Sequence, residues 1–539
     1  SRFAAALLCY NNPMNKELAD LLFPNLVKFR KDFEAMYPKR DLPAGAEVLR
    51  VAPSPTGNLH TGGLYVGLVN KCIRDKTKGI LICRIEDTDK VREVPGARDN
   101  ILKYFNYYDM TADEGPQIDG SVKGAYGPYV QSERRDIYQA FAYDFVLSGY
   151  AYPDFRTEDE LMIMRERQTE NKVRPGVYNE YASHVEMSLD EIRNKLSKGE
   201  QWVLRLKSDG DFGKKIVFVD EMMGELSLSE NDEHFVILKS DGIPTYHFAN
   251  VVDDYTMGVT YVVRANEWVA SITKHLELWN KIGRVPPKYA HLMPINKQDG
   301  VGVRKLSKRK DSEASVEYYD NNGYPKEALL AYLYRLANPA FDDWWQIGNR
   351  DLNKYELDLN AMKRNSRGPL LDFKKLDDIS SDVIASKSAS VVADELLSWS
   401  LKYDTEFYNV ISKDRKYLEQ VLNIERQTEN PRKDIVRYGV AREQIGYFFD
   451  DMYVPASIDS NLKSKMCVAL QDEALYNNSL NLDDWILRIK DIAANVAPDI
   501  KFGAFMMELR KGITGKERTP NMYYLFEVLG RERILKRLA

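Results

Sequence analysis

Residues 46–63, Ala-Glu-Val-Leu-Arg-Val-Ala-Pro-Ser-Pro-Thr-Gly-Asn-Leu-His-Thr-Gly-Gly, constrain the fold more than any other stretch. Val48, Leu49, Val51 and Ala52 read as a short buried strand. Pro53 and Pro55 end it, because neither can donate to a sheet ladder. Gly57 supplies a turn, and His60, Thr61, Gly62 and Gly63 open a helix that continues through Leu64, Val66, Leu68 and Val69. The first N–H groups of a helix have no intrahelical partner, and glycine lets a ligand approach the backbone closely, so this mouth is suited to an anion. His60 stands where it can donate to a phosphate oxygen.

A chain of 539 residues exceeds one core, and about three to five structural units are expected. With 44% hydrophobic and 29% charged residues, the composition is that of an ordinary globular protein, not a disordered or fibrous one. The net charge of −5 gives no global attraction for nucleic acid, so any RNA surface must be a local patch. Cys9, Cys72, Cys83 and Cys467 are scattered without a Cys-x-x-Cys pair, and the six histidines are dispersed. No zinc or other protein-held metal is expected, and a reducing, cytoplasmic setting fits. No apolar run of about 18 residues suggests a membrane span. The stretch from Phe3 to Leu8 is too short for a signal peptide, and Met14 is a candidate natural start that would make residues 1–13 foreign to the native chain.

Residues 15–38 carry apolar side chains at helical spacing, broken at Pro24, and read as a packing appendage. Ile80-Leu81-Ile82-Cys83-Arg84-Ile85 reads as a central parallel strand. Glu86-Asp87-Thr88-Asp89 follows at its carboxyl end, where open α/β sheets bind ligands; for Asp87 to Asp89 the competing reading is a helix N-cap. Residues 157–236 interrupt the α/β pattern, with helices expected through 157–170 and 188–198 and strands at 202–206 and 216–219. The chain then returns to a strand near 235–239, and Val259 to Arg264 form another, ending in a cation beside Asn266 and Glu267. Arg304-Lys305-Leu306-Ser307-Lys308-Arg309-Lys310 places five cations in seven residues. From about residue 385 to the end the pattern is mostly amphipathic helix, and the basic helix at 530–538 reads as packing with a charged outer face.

Ala-Pro-Ser-Pro-Thr-Gly followed by Leu-His-x-Gly-Gly resembles the nucleotide-binding opening of class I glutamyl-tRNA synthetases. Arg-Ile-Glu-Asp-Thr-Asp is similar to that family's second motif, and residues 127–134 also match. Lys305-Leu-Ser-Lys308 looks like the class I lysine loop, about 240 residues after the glycine pair. The resemblance implies an α/β fold: a split Rossmann-type parallel sheet with an α+β insertion, then a largely α-helical C-terminal half. It divides the chain into a helical extension (1–46), a first catalytic half (47–132), an acceptor-stem-binding insertion (133–236) and a second catalytic half (237–298). A stem-contact domain (299–385) and an anticodon-binding region (386–539) follow.

The implied activity is ligation of L-glutamate to tRNA-Glu at the expense of ATP, with magnesium accompanying the nucleotide and a monomer as the working form. His60, Lys305 and Lys308 are implied as catalytic. Thr56, Gly57, His60, Gly62, Gly63, Lys305, Ser307 and Lys308 are implied to bind ATP, and Arg50, Ser54, Glu86, Tyr246, Asn250 and Arg264 to bind glutamate. Ser54 stands where glutaminyl enzymes carry a glutamate, which favours glutamate as substrate; tRNA-Gln stays open as a second acceptor. Residues 150–156 lack the cysteines that some members use for zinc. Thr61 departs from the usual Ile, Val or Leu, and its hydroxyl is expected to bond locally to backbone. A small-molecule nucleotidyltransferase and a non-catalytic RNA-binding paralogue remain as rival readings.

Overall fold

The computed structural model describes residues 13–348, 350–363, 367–477 and 479–539. The reading of residues 1–13 as foreign falls, apart from Pro13, outside the described residues. Two units are distinguished. One takes in the chain up to Val316 with Leu333–Asp342 and Asn353–Leu371; the other comprises Glu317–Tyr332, Asp343–Leu352 and Asp372–Ala539.

In the first unit the strand Val48–Val51 pairs in parallel with Ile80–Cys83. Tyr261–Ala265 pairs in parallel with Lys288–Leu292. The two pairs meet where Thr260 N–H donates to the Val48 carbonyl (2.9 Å) and the Thr260 hydroxyl accepts from Val48 N–H (2.8 Å). All four residues of Val48–Val51 are buried, as expected of a strand covered on both faces. The helix Thr61–Thr77 follows it directly. This is the split parallel sheet expected of a class I catalytic unit.

The insertion has its own sheet. Ala151–Asp154 and Val203–Leu206 run antiparallel, and Val236–Leu238 pairs antiparallel with Val203–Leu206. The strand near 235–239 therefore belongs to this sheet and not to the parallel pairs. Lys215–Asp220 and Gly224–Ser229 form a separate antiparallel hairpin, and Glu221 N–H beyond its first strand donates to the Tyr289 carbonyl (2.8 Å). Helices Glu158–Glu170 and Leu189–Ser197 both start with a capping box, from Thr157 and Ser188, which satisfies N–H groups that the helix cannot. In the cysteine-free stretch 150–156, Asp154 accepts from Arg156 (2.8 and 2.7 Å), Arg205 and His184 (2.7 Å).

The helices Pro13–Leu22 and Arg30–Met36 bury Ala19, Leu22 and Phe33 in the core shared with Phe141, Phe145 and Phe248. Arg40 clamps Glu114 through both guanidinium nitrogens (2.6 and 2.8 Å) and donates to the Met257 carbonyl. The appendage thus straps segments far apart in the catalytic unit.

The second unit is helical. Leu396, Phe407, Ile411, Trp485, Phe505 and Phe526 lie in one core, supplied by helices including Ala389–Tyr403, Leu482–Val496 and Phe502–Thr514. The closing helix Met522–Leu538 is interrupted at Gly530 (φ 72°). Its Arg537 is buried, donating to the Ile513 carbonyl and to Asp450; that cation serves packing.

Candidate active site

The carboxyl ends of the parallel strands open into a cleft of about 1510 Å³. Its lining brings together Thr56, His60, Gly62, Gly63, Lys305, Ser307 and Lys308 with Arg50, Ser54, Glu86, Tyr246, Asn250 and Arg264. Gly57 stands behind the first group: a Cβ added there would come within 3.1 Å of Lys308 Nζ, and its φ of +121° suits only glycine. Segments about 240 residues apart in sequence therefore share one cavity.

His60 caps the Thr61–Thr77 helix. Its Nδ1 accepts from Gly62 N–H (2.8 Å). That bond places the ring proton on Nε2, which keeps a donor for an incoming oxygen. Burial, then the positive charges of Lys308 and Lys305, push His60 down to about 4, so the ring is neutral at pH 7. A side chain on Gly62 would meet Nδ1 at 3.0 Å and displace the ring.

The lysine loop is held from its own far end. Asp311 accepts both guanidinium nitrogens of Arg304 (2.7 and 2.8 Å) and Ser307 N–H (2.8 Å). Arg304 therefore neutralises Asp311, while Lys305 pairs with the cleft carboxylate Glu267. Burial lowers the pKa of Lys308, as expected of an ammonium held without a neutralising carboxylate.

Thr61 corrects one expectation. Its hydroxyl does bond to backbone, but not locally: it donates to the carbonyls of Glu313 (3.0 Å) and Ala314 (3.2 Å). Val316 N–H also donates to the Leu59 carbonyl (3.0 Å). The histidine mouth is thus tied to the segment just beyond the lysine loop. Thr61→Val removes one buried hydrogen bond while keeping the shape, and is expected to lower stability by about 1 kcal/mol. Hydrogen exchange at Leu68, in the helix that Thr61 opens, checks this, and unchanged protection would mean that the hydroxyl contributes nothing.

The amino-acid side of the cleft rests on a buried ionic cluster. Arg84, fully buried, donates to Asp254 (2.6 Å) and Glu86 (3.0 Å). Arg50 donates to Asp254 (3.2 Å). Arg134 and Tyr138 hold Asp253 (2.7 and 2.9 Å). Arg50, Arg84 and Arg134 balance Glu86, Asp253 and Asp254, which is the condition for burying so many charges. Burial raises the pKa of Glu86 despite Arg84 and Arg50; an ammonium bound beside it would favour its charged form. Asn250 donates weakly to Glu86 (3.4 Å).

Tyr246 stacks on Trp268 with ring centroids 4.3 Å apart, and burial pushes its hydroxyl up to about 12. Arg264 lines the cleft and reaches Tyr246 through Nη1 (3.4 Å); its Nη2 is buried and has no hydrogen-bond partner among the described residues, and a guanidinium nitrogen without a partner suits an anion.

Asp87 corrects the N-cap reading. No helix starts there; the next one, Ala97–Tyr107, is capped by Gly96. Its carboxylate instead accepts from Ser132 N–H and Oγ (2.8 and 2.5 Å), fastening the turn Gln131–Arg134.

The cleft thus sets Lys305, Lys308 and the His60 ring, groups suited to a polyphosphate, in one cavity with Glu86 and Arg264, which suit an ammonium and a carboxylate. A family profile described as tRNA synthetases class I (E and Q), catalytic domain, matches residues 48–358. The chain belongs to this family. Class I synthetases of this kind are aminoacyl-tRNA ligases, and an anticodon-binding domain profile matches residues 406–539. The chain is 38% identical to a glutamate–tRNA ligase of Clostridium perfringens over 97% of its length and 100% of the relative's. It is 36% identical to one from Acetivibrio thermocellus, covering 97% and 99%. A crystal structure of a glutamate tRNA ligase from Elizabethkingia meningosepticum, in complex with its amino acid, matches with a TM-score of 0.73 and 27% identity over 91% of this chain and 98% of that one.

Three residues of this synthetase's site escaped sequence reasoning: Arg84, Asp253 and Asp254. The Asp253-Asp254 doublet inside an otherwise apolar helix, Tyr246–Thr256, was the available signal, since two buried carboxylates require buried cations.

Proposed function

We propose that the chain activates L-glutamate with ATP and transfers it to the 3′ end of tRNA-Glu. The observation that carries this reading is the shared cleft: His60, Lys305 and Lys308 line one cavity with Glu86 and Arg264. The α-carboxylate of glutamate attacks the α-phosphorus and pyrophosphate leaves; the terminal ribose hydroxyl then attacks the acyl carbon and AMP leaves. The protein's part is to position reactants and to stabilise charge on the phosphoryl oxygens. The His60 Nε2 proton, Lys305 and Lys308 do this. Gly57, Gly62, Gly63, Thr56 and Ser307 shape the nucleotide's bed. Arg264 receives the side-chain carboxylate, Glu86 the ammonium, and Arg50, Ser54, Tyr246 and Asn250 complete the pocket.

The phosphate side presents Lys305, Lys308 and the His60 ring, with Glu267 already paired to Lys305. A magnesium ion there would take its oxygens from the phosphates and water, a coordination that suits this ion. Residues 133–236 grip the acceptor end, 299–385 contact the stem, and 386–539 read the anticodon. Among the described residues no helix is long and apolar enough to cross a membrane.

Lys308→Ala tests the phosphate side. It is expected to lower kcat for aminoacylation at least about tenfold, roughly 1.4 kcal/mol of transition-state stabilisation. Unchanged turnover would overturn the assignment of the lysine loop.

A further inference from the structure

Arg264 is held from behind by two side chains that do not line the cleft. Its Nε donates to His291 Nε2 (3.0 Å). His291 sits opposite it in the neighbouring strand and meets Asp220 Oδ2 through Nδ1 (2.6 Å). Asp220 ends the hairpin strand Lys215–Asp220 of the insertion. Its carboxylate also accepts the backbone N–H of Met222 and Met223 (both 2.9 Å) and of His291 (3.2 Å). His291 is 0% and Asp220 1% exposed.

The direction of these bonds is forced. A guanidinium can only donate, so His291 Nε2 must present a lone pair. The ring proton therefore sits on Nδ1, where only an acceptor keeps it. Asp220 is that acceptor. Burial pushes its pKa up, but the bond from His291 and the backbone N–H groups outweigh this and hold it below the usual range. Burial lowers His291, and the Arg264 charge adds to the effect beyond what Asp220 returns, so the ring is neutral. With Nε fixed in this way, Nη2 is left buried and without a partner on a residue lining the cleft.

We propose that Asp220 and His291 are positioning residues: by fixing one imidazole tautomer they lock the Arg264 fork with its free edge toward the substrate's side-chain carboxylate. The insertion thereby completes the back wall of the amino-acid pocket and sets the affinity for glutamate. This rests on the proposed role of Arg264 and deepens it.

Asp220→Asn is the sharpest test, because it keeps size and shape. The amide can donate to Nδ1, which moves the ring proton to Nε2 and sets N–H against N–H at Arg264. In aminoacylation with saturating tRNA, KM for glutamate is expected to rise at least about tenfold. KM for ATP and kcat should stay within about twofold, and the thermal midpoint should stay near that of the unaltered chain. His291→Gln, which retains an acceptor near the Nε2 position, should keep most of the affinity, and His291→Leu should lose it. On an Arg264→Ala background, Asp220→Asn should cost nothing further. An equal loss in KM for both substrates, a loss that adds on the Arg264→Ala background, or His291→Leu matching His291→Gln would overturn the proposal. An Arg264→Ala chain with unchanged KM for glutamate would instead remove the proposed function on which it stands.

Discussion

Arg264→Ala is expected to lower kcat/KM for glutamate at least about a hundredfold, about 2.7 kcal/mol of transition-state binding. The guanidinium is nearly buried, and its Nη2 is unpaired. A substrate carboxylate there gains charge-assisted hydrogen bonds in a site that excludes water. Without the arginine, that carboxylate loses its water and finds no cation. Arg264→Lys should fall between the two, since an ammonium keeps the charge but cannot donate to His291 and to the ligand in a planar fork. Steady-state aminoacylation at saturating ATP and tRNA reads the effect. A change below about threefold would mean that another group meets the side-chain carboxylate.

Arg84→Met is expected to destabilise the catalytic unit by about 3–5 kcal/mol. Arg84 has no exposure and satisfies Asp254 and Glu86 directly. Its loss leaves Asp254 to Arg50 (3.2 Å) and Asp253 to Arg134 (2.7 Å), with Glu86 without its arginine partner. Removing one side of a buried ion cluster costs more than the cluster itself contributes, because the remaining charge keeps its desolvation penalty. The chain has two units, so a single unfolding transition is not assumed. Hydrogen exchange at Leu81 and Val262, in the two parallel strand pairs, reads the local opening directly. Protection should fall by at least about a hundredfold, given about 1.4 kcal/mol per decade. The pair Arg84→Met with Asp254→Leu should recover part of the loss, since the unmatched charge goes with its partner.

The geometry around residue 60 was legible because it is local. Prolines that cannot extend a ladder, glycines that admit a close approach and an apolar strand and helix on either side determine a strand, turn and helix from neighbouring residues alone. Arg264 could be read for the same reason, since it follows an apolar run with strand character, whereas Arg50 was implied only by the resemblance. What stayed hidden depends on partners far apart in the chain. Asp220 and His291 meet across 71 positions, and the Thr61 hydroxyl finds its acceptors 252 and 253 positions away. Alternation and helical spacing assign a residue to a face, but not to the group it meets across a tertiary contact. Asp87 illustrates the limit. Its residue type suits a helix cap, yet the N–H it satisfies belongs to a turn 45 positions on.

On the proposed function, one cleft holds the nucleotide against His60 and the lysine loop while Arg264 receives the side-chain carboxylate of glutamate. A crystal structure of the chain with a non-hydrolysable glutamyl-adenylate analogue, its phosphate replaced by a sulfamate, tests this most directly. The account predicts the side-chain carboxylate within about 3 Å of Arg264 Nη2, the ammonium on Glu86, and the sulfamate beside His60 Nε2. A side-chain carboxylate bound away from Arg264, or an analogue seated outside the cleft, would contradict it.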